Sequence, residues 1–334
     1  MRQSDTTSRS SALLLALDYV FILRPTHFFP LWATFFAGYV TASQSPVFST
    51  SPFPFLAFLV STFTAGHIYL FNQIADVETD RINRKLFILA DGYVRLPVIW
   101  AEGIALVLLS LGLAWQLSLE FFLTVLFSTA LGLSYTFLGF MNRPILSLAM
   151  NSVGGAVTFI AGVYAVDPSA LAAREISFWE ILFWSLPHLL AYAAVSALVT
   201  LPDMDGDAHC GKQTVALEYG IRWTLQFAFL ADALALLLSL LTLNWHGIFT
   251  IGVAALCSLP LFWHAMRHQD ASKIFAPVKY SMLALTLCVS LFFPLLLLLV
   301  TLNFLACKAY YRSRFGLNYP NFHSMSRVSN ALHP

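Results

Sequence analysis

Seventeen of the 334 residues are acidic, and six of these fall in two five-residue windows. They are Asp76, Glu78 and Asp80 in DVETD, and Asp203, Asp205 and Asp207 in DMDGD. An even spread would put about half a residue there, so the concentration needs a cause. Asn72, Asp76 and Asp80 recur every four residues, which on a helix lines them along one face. Asp203 and Asp207 have the same spacing, although Pro202 and Gly206 make a turn an equally good reading there. Two carboxylates about 4 Å apart repel by on the order of 4 kcal/mol at an effective dielectric of about 20. Divalent cations remove that penalty, and oxygen-rich sites with spare positions suit Mg²⁺ held together with substrate phosphates. Arg81, Arg84 and Lys85 follow the first window and Lys212 the second. Such interleaving fits a cation–diphosphate site, with metal bridging carboxylates to phosphate oxygens and Arg or Lys holding the remainder. A solvated acidic loop edge would explain one window better than it explains two.

The elements that must position these residues are membrane spans. Charged residues are 10% of the chain, against about 25% in soluble domains, while 58% are hydrophobic and 30 are Phe. Mean hydropathy is +0.74. These values exclude a soluble fold and predict an all-α polytopic membrane protein. A net charge of +1 gives no reason to expect a nucleic-acid partner. Cys210, Cys257, Cys288 and Cys307 lack metal or redox spacing and read as small packing residues. The polar N-terminus lacks a small-residue cleavage site, so no removable signal peptide is expected.

At roughly 20 apolar residues per crossing, nine spans emerge: 26–43, 53–75, 97–117, 121–141, 145–166, 177–201, 223–243, 247–266 and 280–304. The two long connections, 76–96 and 202–222, hold the acidic windows, and loops of that length usually carry function. With the N-terminus inside, cytoplasmic segments hold thirteen basic residues and external loops only Arg174, which puts both acidic loops on the cytoplasmic face. Four spans separate them, suggesting two four-helix halves and a ninth helix. The tail is the misfit: nine spans put Lys308, Arg312, Arg314 and Arg327 outside, so either the last segment is re-entrant or a tail beyond the final span tolerates the charge. Among polar residues within spans, His67 and His188 read as packed residues, and Glu102 and Glu180 as reaching headgroups. Asp232 is the oddest, being nearest mid-span. Asn151, Gly154 and Gly155 read as permitting close helix approach.

At these residues the chain resembles the intramembrane prenyltransferase family named after UbiA. Asn72, Asp76 and Asp80 in NQIADVETD match that family's N-x-x-x-D-x-x-x-D motif, and Asp203 and Asp207 in DMDGDAHCGKQT match its D-x-x-x-D motif. Gly211, Lys212 and Thr214 fit downstream, as do Arg24 and Pro25 in RPTHFFP, with Tyr135 in LSYTF and Asn142, Arg143 and Pro144 as weaker matches. Three departures stand out. Gln73 replaces an Asp, KLFILADGYV replaces an Arg-Pro segment, and Gly139 stands where a basic residue is usual, with Arg143 the nearest substitute. All three fall where the resemblance puts the grip on acceptor and diphosphate.

The resemblance covers about residues 20–305. It implies a horseshoe of about nine helices, with a central cavity open to lipid, Phe-, Leu- and Ala-rich walls and cytoplasmic cap loops. Residues 1–20 are then a polar N-terminus, 21–305 the intramembrane domain and 306–334 a basic polar tail. The implied activity is Mg²⁺-dependent transfer of a prenyl group from a polyprenyl diphosphate to a lipophilic acceptor, with membrane lipids as surroundings. The alternatives are cyclisation of the prenyl diphosphate on the same scaffold, or a cation-coupled transporter, which predicts acids deeper in the spans. Asp76, Asp80, Asp203, Asp207 and Asn72 would hold two Mg²⁺ ions. Arg84, Lys85, Lys212, Arg143, Tyr135 and Arg24 would bind the diphosphate, with Asp205 and Glu78 of second rank. Phe87, Ile88 and Leu89, in the apolar replacement loop, would either dip toward the cavity mouth or anchor the cap.

Overall fold

The computed structural model describes residues 12–48, 51–82, 87–268 and 271–320, and among these no strand occurs. Helix α1 (Ala12–Phe21) leads through a 3₁₀ turn at Pro25–His27 into α2 (Phe28–Ser43). α3 (Phe53–Ile82) has 30 residues. At 1.5 Å per residue it is about 45 Å long, more than an apolar layer of about 30 Å requires. Its final turns, which carry Asp76 and Asp80, therefore reach past the hydrocarbon. There follow α4 (Phe87–Ala90), α5 (Leu96–Leu117), α6 (Leu119–Phe137), α7 (Pro144–Val163) and α8 (Phe178–Leu198). The second half holds the short α9 (Met204–His209), α10 (Val215–Leu241), α11 (Trp245–His268), α12 (Ala271–Phe292) and α13 (Leu295–Phe315).

Local signals account for the boundaries. Proline stands in the first turn of α5 and α7, where its missing N–H costs nothing. Ser118 caps α6, and Ser177 with Glu180 forms a capping box at the start of α8. Glu180 is thus a helix cap rather than a residue reaching for headgroups. Asp232 accepts from the Ser258 hydroxyl at 2.6 Å, which ties α10 to α11. His188 is stacked on Phe159 at 4.6 Å, as a packed residue should be.

Among the described residues nine helices are long and apolar enough to cross a membrane, and Pro277–Phe292 is a shorter apolar stretch. α2, α3, α6 and α7 pack around one space, while α8, α10, α11 and α12 extend the bundle and return to α2. The close backbone approach lies between α2 and α7, where a Cβ on Gly38 would strike the Phe159 carbonyl and one on Gly162 the Phe35 carbonyl. Gly155 makes room for Tyr192, as expected, but Gly154 faces open space and Asn151 lines a cavity.

The end of the chain departs from expectation. The segment 280–304 is broken at Phe293 and Pro294 into the end of α12 and the start of α13. Phe293 packs on Phe36, Tyr39 and Phe48, at the end of α2 away from the acidic motifs. Phe315, at the other end of α13, packs on Phe87 and Tyr93 beside the first motif's loop. The chain therefore returns to the motif end, and a boundary at 305 falls inside a helix. Lys308, Arg312 and Arg314 therefore lie toward the end of the bundle that holds the acidic motifs. The return is fastened by a buried cluster. Arg314 grips Asp18 through Nε at 3.0 Å and Nη2 at 3.0 Å, and the Tyr310 hydroxyl donates to the same carboxylate at 2.7 Å. Asp18 is fully buried.

Candidate functional site

The two acidic motifs meet through Lys212. Gly211 adopts φ +68°, a left-handed conformation that glycine takes without strain, and the chain reverses there after α9. The Lys212 ammonium then lies 2.6 Å from Asp76 Oδ1 on α3 and 4.0 Å from Asp207 Oδ1 on α9. Side-chain exposures of 14% for Lys212, 18% for Asp76 and 8% for Asp207 make this a largely desolvated group. Burial works against the Lys212 charge, but Asp76, Asp207 and Asp80 outweigh it and hold the ammonium above the ordinary lysine range. Asp80 is attracted by Arg24 and Lys212 and repelled by Asp76 and Asp203. All four motif aspartates thus belong to one electrostatic group with Lys212 and Arg24.

Below this group lies a cavity of about 400 Å³. α3 lines it with Ser61, Thr64, Tyr69 and Asn72, α6 with Ser128 and Tyr135, and α7 with Asn151 and Thr158. Arg24 stands at its rim, with Cζ 5.9 Å from the centre of the Tyr69 ring. The expected Phe-rich wall is absent among the described lining residues. Its aromatic rings are Tyr69 and Tyr135, while Phe36, Phe58 and Phe293 stack on one another between helices. Phe packs the bundle here, and about half of the lining side chains carry polar atoms.

Other expectations divide. Tyr135 lines the cavity and accepts from the Ser147 hydroxyl at 3.2 Å. Arg143 is exposed, with its guanidinium over the Phe140 ring, and is not among the lining residues. Glu78 pairs with Arg81 at 2.6 Å on the outer face of α3, and Asp205 is exposed. Arg84 and Lys85 lie outside the described residues. Gln73, read as a change at the grip on substrate, is buried and is not among the residues lining the cavity; its amide donates to the Ile22 carbonyl at 2.7 Å. It fastens the chain after α1 and takes no part in the cavity. Phe87, Ile88 and Leu89 are buried with Phe21, Tyr310 and Tyr311 instead of dipping toward the cavity mouth. They anchor the cap, and Arg81 ties α3 to them by donating to the Ala90 carbonyl at 3.0 Å.

A divalent metal suits this donor set by chemistry. Every candidate ligand is an oxygen, and Asn72 Oδ1 is buried at the cavity wall with no hydrogen-bond partner. Among the described residues no three acidic, His or Cys side chains converge closely enough to enclose an ion by themselves. Such a site needs oxygens from a bound ligand to complete it, which is how Mg²⁺ is commonly held beside phosphates.

Thr26, Asn303 and Tyr319, which no sequence motif marks, brace the turn carrying Arg24. Asn303 Nδ2 donates to the Pro25 carbonyl at 2.8 Å, and the Tyr319 hydroxyl to Thr26 Oγ1 at 3.3 Å. No spacing rule links residues so far apart in the chain. Arg24 itself has φ +59° and ψ +55°, a left-handed conformation that costs a non-glycine residue of order 1–3 kcal/mol and persists only where its surroundings impose it.

Residues 31–283 match the UbiA prenyltransferase family. The digeranylgeranylglyceryl phosphate synthase of Methanoculleus marisnigri is 29% identical over 251 residues, covering 75% of this chain and 85% of that protein. The homogentisate phytyltransferase of Synechocystis is 29% identical over 215 residues, covering 60% and 68%. The structure of a UbiA homolog from Archaeoglobus fulgidus bound to GPP and Mg²⁺ superposes with a TM-score of 0.67 at 18% identity, over 85% of this chain and 99% of that one. Across three quarters of its length, then, both sequence and fold point one way: the chain belongs to the UbiA prenyltransferase family and is a prenyl-transferring enzyme.

Proposed function

We propose that the protein transfers the prenyl group of a polyprenyl diphosphate to a lipophilic acceptor inside the membrane, and that it requires Mg²⁺. The observation that carries this reading is the bridging of both acidic motifs by Lys212 at the mouth of an intramembrane cavity. Asp76, Asp80, Asp203, Asp207 and Asn72 would hold the metal, two ions being the number this ligand count suits. When bound, Mg²⁺ neutralises charge on the departing diphosphate. Lys212 and Arg24 bind phosphate oxygens and stabilise the charge that grows as the allylic C–O bond breaks. The cavity orients the prenyl group, and the aromatic rings in its lining, Tyr69 and Tyr135, are those available to stabilise positive charge that develops at the allylic carbon. The relatives named above span lipid and aromatic acceptors, and the polar lining supports an acceptor that carries hydrogen-bonding groups.

The motif end faces the cytoplasm on this reading. The thirteen-to-one basic count supports it, and the return of α13 adds Lys308, Arg312 and Arg314 to that side. The test is purified protein incubated with labelled geranyl diphosphate, with and without candidate acceptors, and read by mass spectrometry. Prenylated acceptor in Mg²⁺, lost in Asp76→Asn and Asp203→Asn proteins that still fold, is the expected result. Full turnover in excess chelator would sink the mechanism. A cyclic hydrocarbon formed without acceptor would move the assignment to a cyclase.

A further inference from the structure

α13 lies beyond the part of the chain that matches the family, which ends at residue 283. It nevertheless touches the turn that carries Arg24 at two points, through Asn303 to the Pro25 carbonyl and through Tyr319, just past the helix, to Thr26. Gly316 ends α13 in a left-handed cap at φ +70°, and that reversal carries Leu317 and Tyr319 back over the bundle. On the other side the same turn is bounded by α1, which α13 fixes through Arg314 and Asp18 and through the stack of Tyr310 on Phe21 at 3.7 Å. The turn is therefore enclosed by contacts from α13. Within it Arg24 is held left-handed, its Nη2 2.7 Å from His27 Nε2, and its Nε is buried without a hydrogen-bond partner. A donor N–H left unmatched at a cavity rim, on a guanidinium already attracted to Asp80, is a group prepared for an anionic ligand.

We propose that the C-terminal helix is a working part of the diphosphate site: Asn303 and Tyr319 are positioning residues that hold the Arg24 turn so that its guanidinium meets the donor's phosphate oxygens. This rests on the reading of the cavity mouth as the diphosphate site. Neither residue touches substrate. Their effect passes through Arg24, whose left-handed backbone relaxes when the turn loses its braces. α13 thereby makes donor affinity depend on Asn303 and Tyr319, 279 and 295 positions after the arginine they serve.

A double-mutant cycle on donor binding separates positioning from general support. The probe is geranyl diphosphate in Mg²⁺, titrated calorimetrically into the full-length protein in detergent. Arg24→Ala should weaken binding on the order of tenfold, the loss expected for one charge-assisted contact. Asn303→Leu, similar in size but without the donor, and Tyr319→Phe should each weaken binding several-fold. Asn303→Leu added to Arg24→Ala should cause no further loss, because the contact it supports is already gone. Asn303→Gln, which keeps the amide donor, should restore part of the affinity. A full additional loss in the double variant would overturn the proposal, since Asn303 would then act independently of Arg24. So would unchanged binding in Asn303→Leu and Tyr319→Phe alongside weakened binding in Arg24→Ala. Lys212→Met tests the premise separately. If neither it nor Arg24→Ala alters binding, or the wild-type protein does not bind the probe, the site reading fails and the proposal falls with it.

Discussion

Replacing Lys212 with Met removes the charge that joins the two acidic motifs while keeping most of the side-chain volume. In the gross, an ion pair at 2.6 Å is worth about 6 kcal/mol at an effective dielectric of about 20, and the Asp207 contact at 4.0 Å adds about 4 kcal/mol. Desolvation cancels much of that sum. Removing one partner of a buried pair typically costs about 3–5 kcal/mol, because the other charge is left uncompensated. With the pair 14% and 18% exposed, we expect Lys212→Met to lose about 3 kcal/mol in the presence of chelator. The uncompensated carboxylates then form a stronger cation site, so Mg²⁺ should return a large share of the loss and stabilise the variant more than the wild type. Unfolding in detergent can be followed with a thiol-reactive dye as the buried Cys288 and Cys307 become exposed. The sign of the pH dependence follows from Lys212 being held above its usual value of 10.5. The wild-type advantage is present below that value, constant through neutral pH, and lost as pH rises through the higher folded-state value. A Lys212→Met protein as stable as wild type in chelator, or one that Mg²⁺ stabilises no more than wild type, would refute the reasoning.

Arg314→Met should destabilise the protein by about 3–5 kcal/mol by stranding the buried Asp18, whereas the pair Asp18→Leu with Arg314→Met should recover most of the loss, as measured by the same unfolding assay. Replacing Phe87, Ile88 and Leu89 by Ser should lower stability and expression without changing the product profile in a mass-spectrometric assay, because these side chains are buried against α1 and α13. In sealed cells, single cysteines at position 91, at the native Cys210 and at position 318 should all label from the same, cytoplasmic side; labelling of 318 from the opposite side would contradict the return of α13.

Composition alone made this a membrane bundle, because 58% hydrophobic residues and 10% charged residues leave no soluble solution. Spacing alone put Asn72, Asp76 and Asp80 on one helical face, since a period of four needs only a continuous helix, and α3 supplies one through Ile82. The second motif, Lys212 and Arg24 were legible too, but as separate segments. Their meeting was not, because the Asp76–Lys212 contact joins residues 136 positions apart and depends on how α3 packs against α9. Hydropathy ran 280–304 together as one span because both sides of the break at Pro294 are equally apolar. The turn itself is apolar, with Phe293 buried on Phe36, Tyr39 and Phe48, so no polar loop marks it. Sequence position puts Gln73 beside the motif, whereas tertiary packing turns its amide to the Ile22 carbonyl, and of the two readings open for 87–89 the packing of α13 decides for the anchor. Local periodicity thus determined which face of α3 gathers the candidate ligands. Only tertiary contact decided that Lys212 bridges the motifs, that Tyr rather than Phe lines the cavity, and that the end of the chain braces Arg24. Those outcomes depend on side chains from distant segments sharing one small volume, which no short-range pattern encodes.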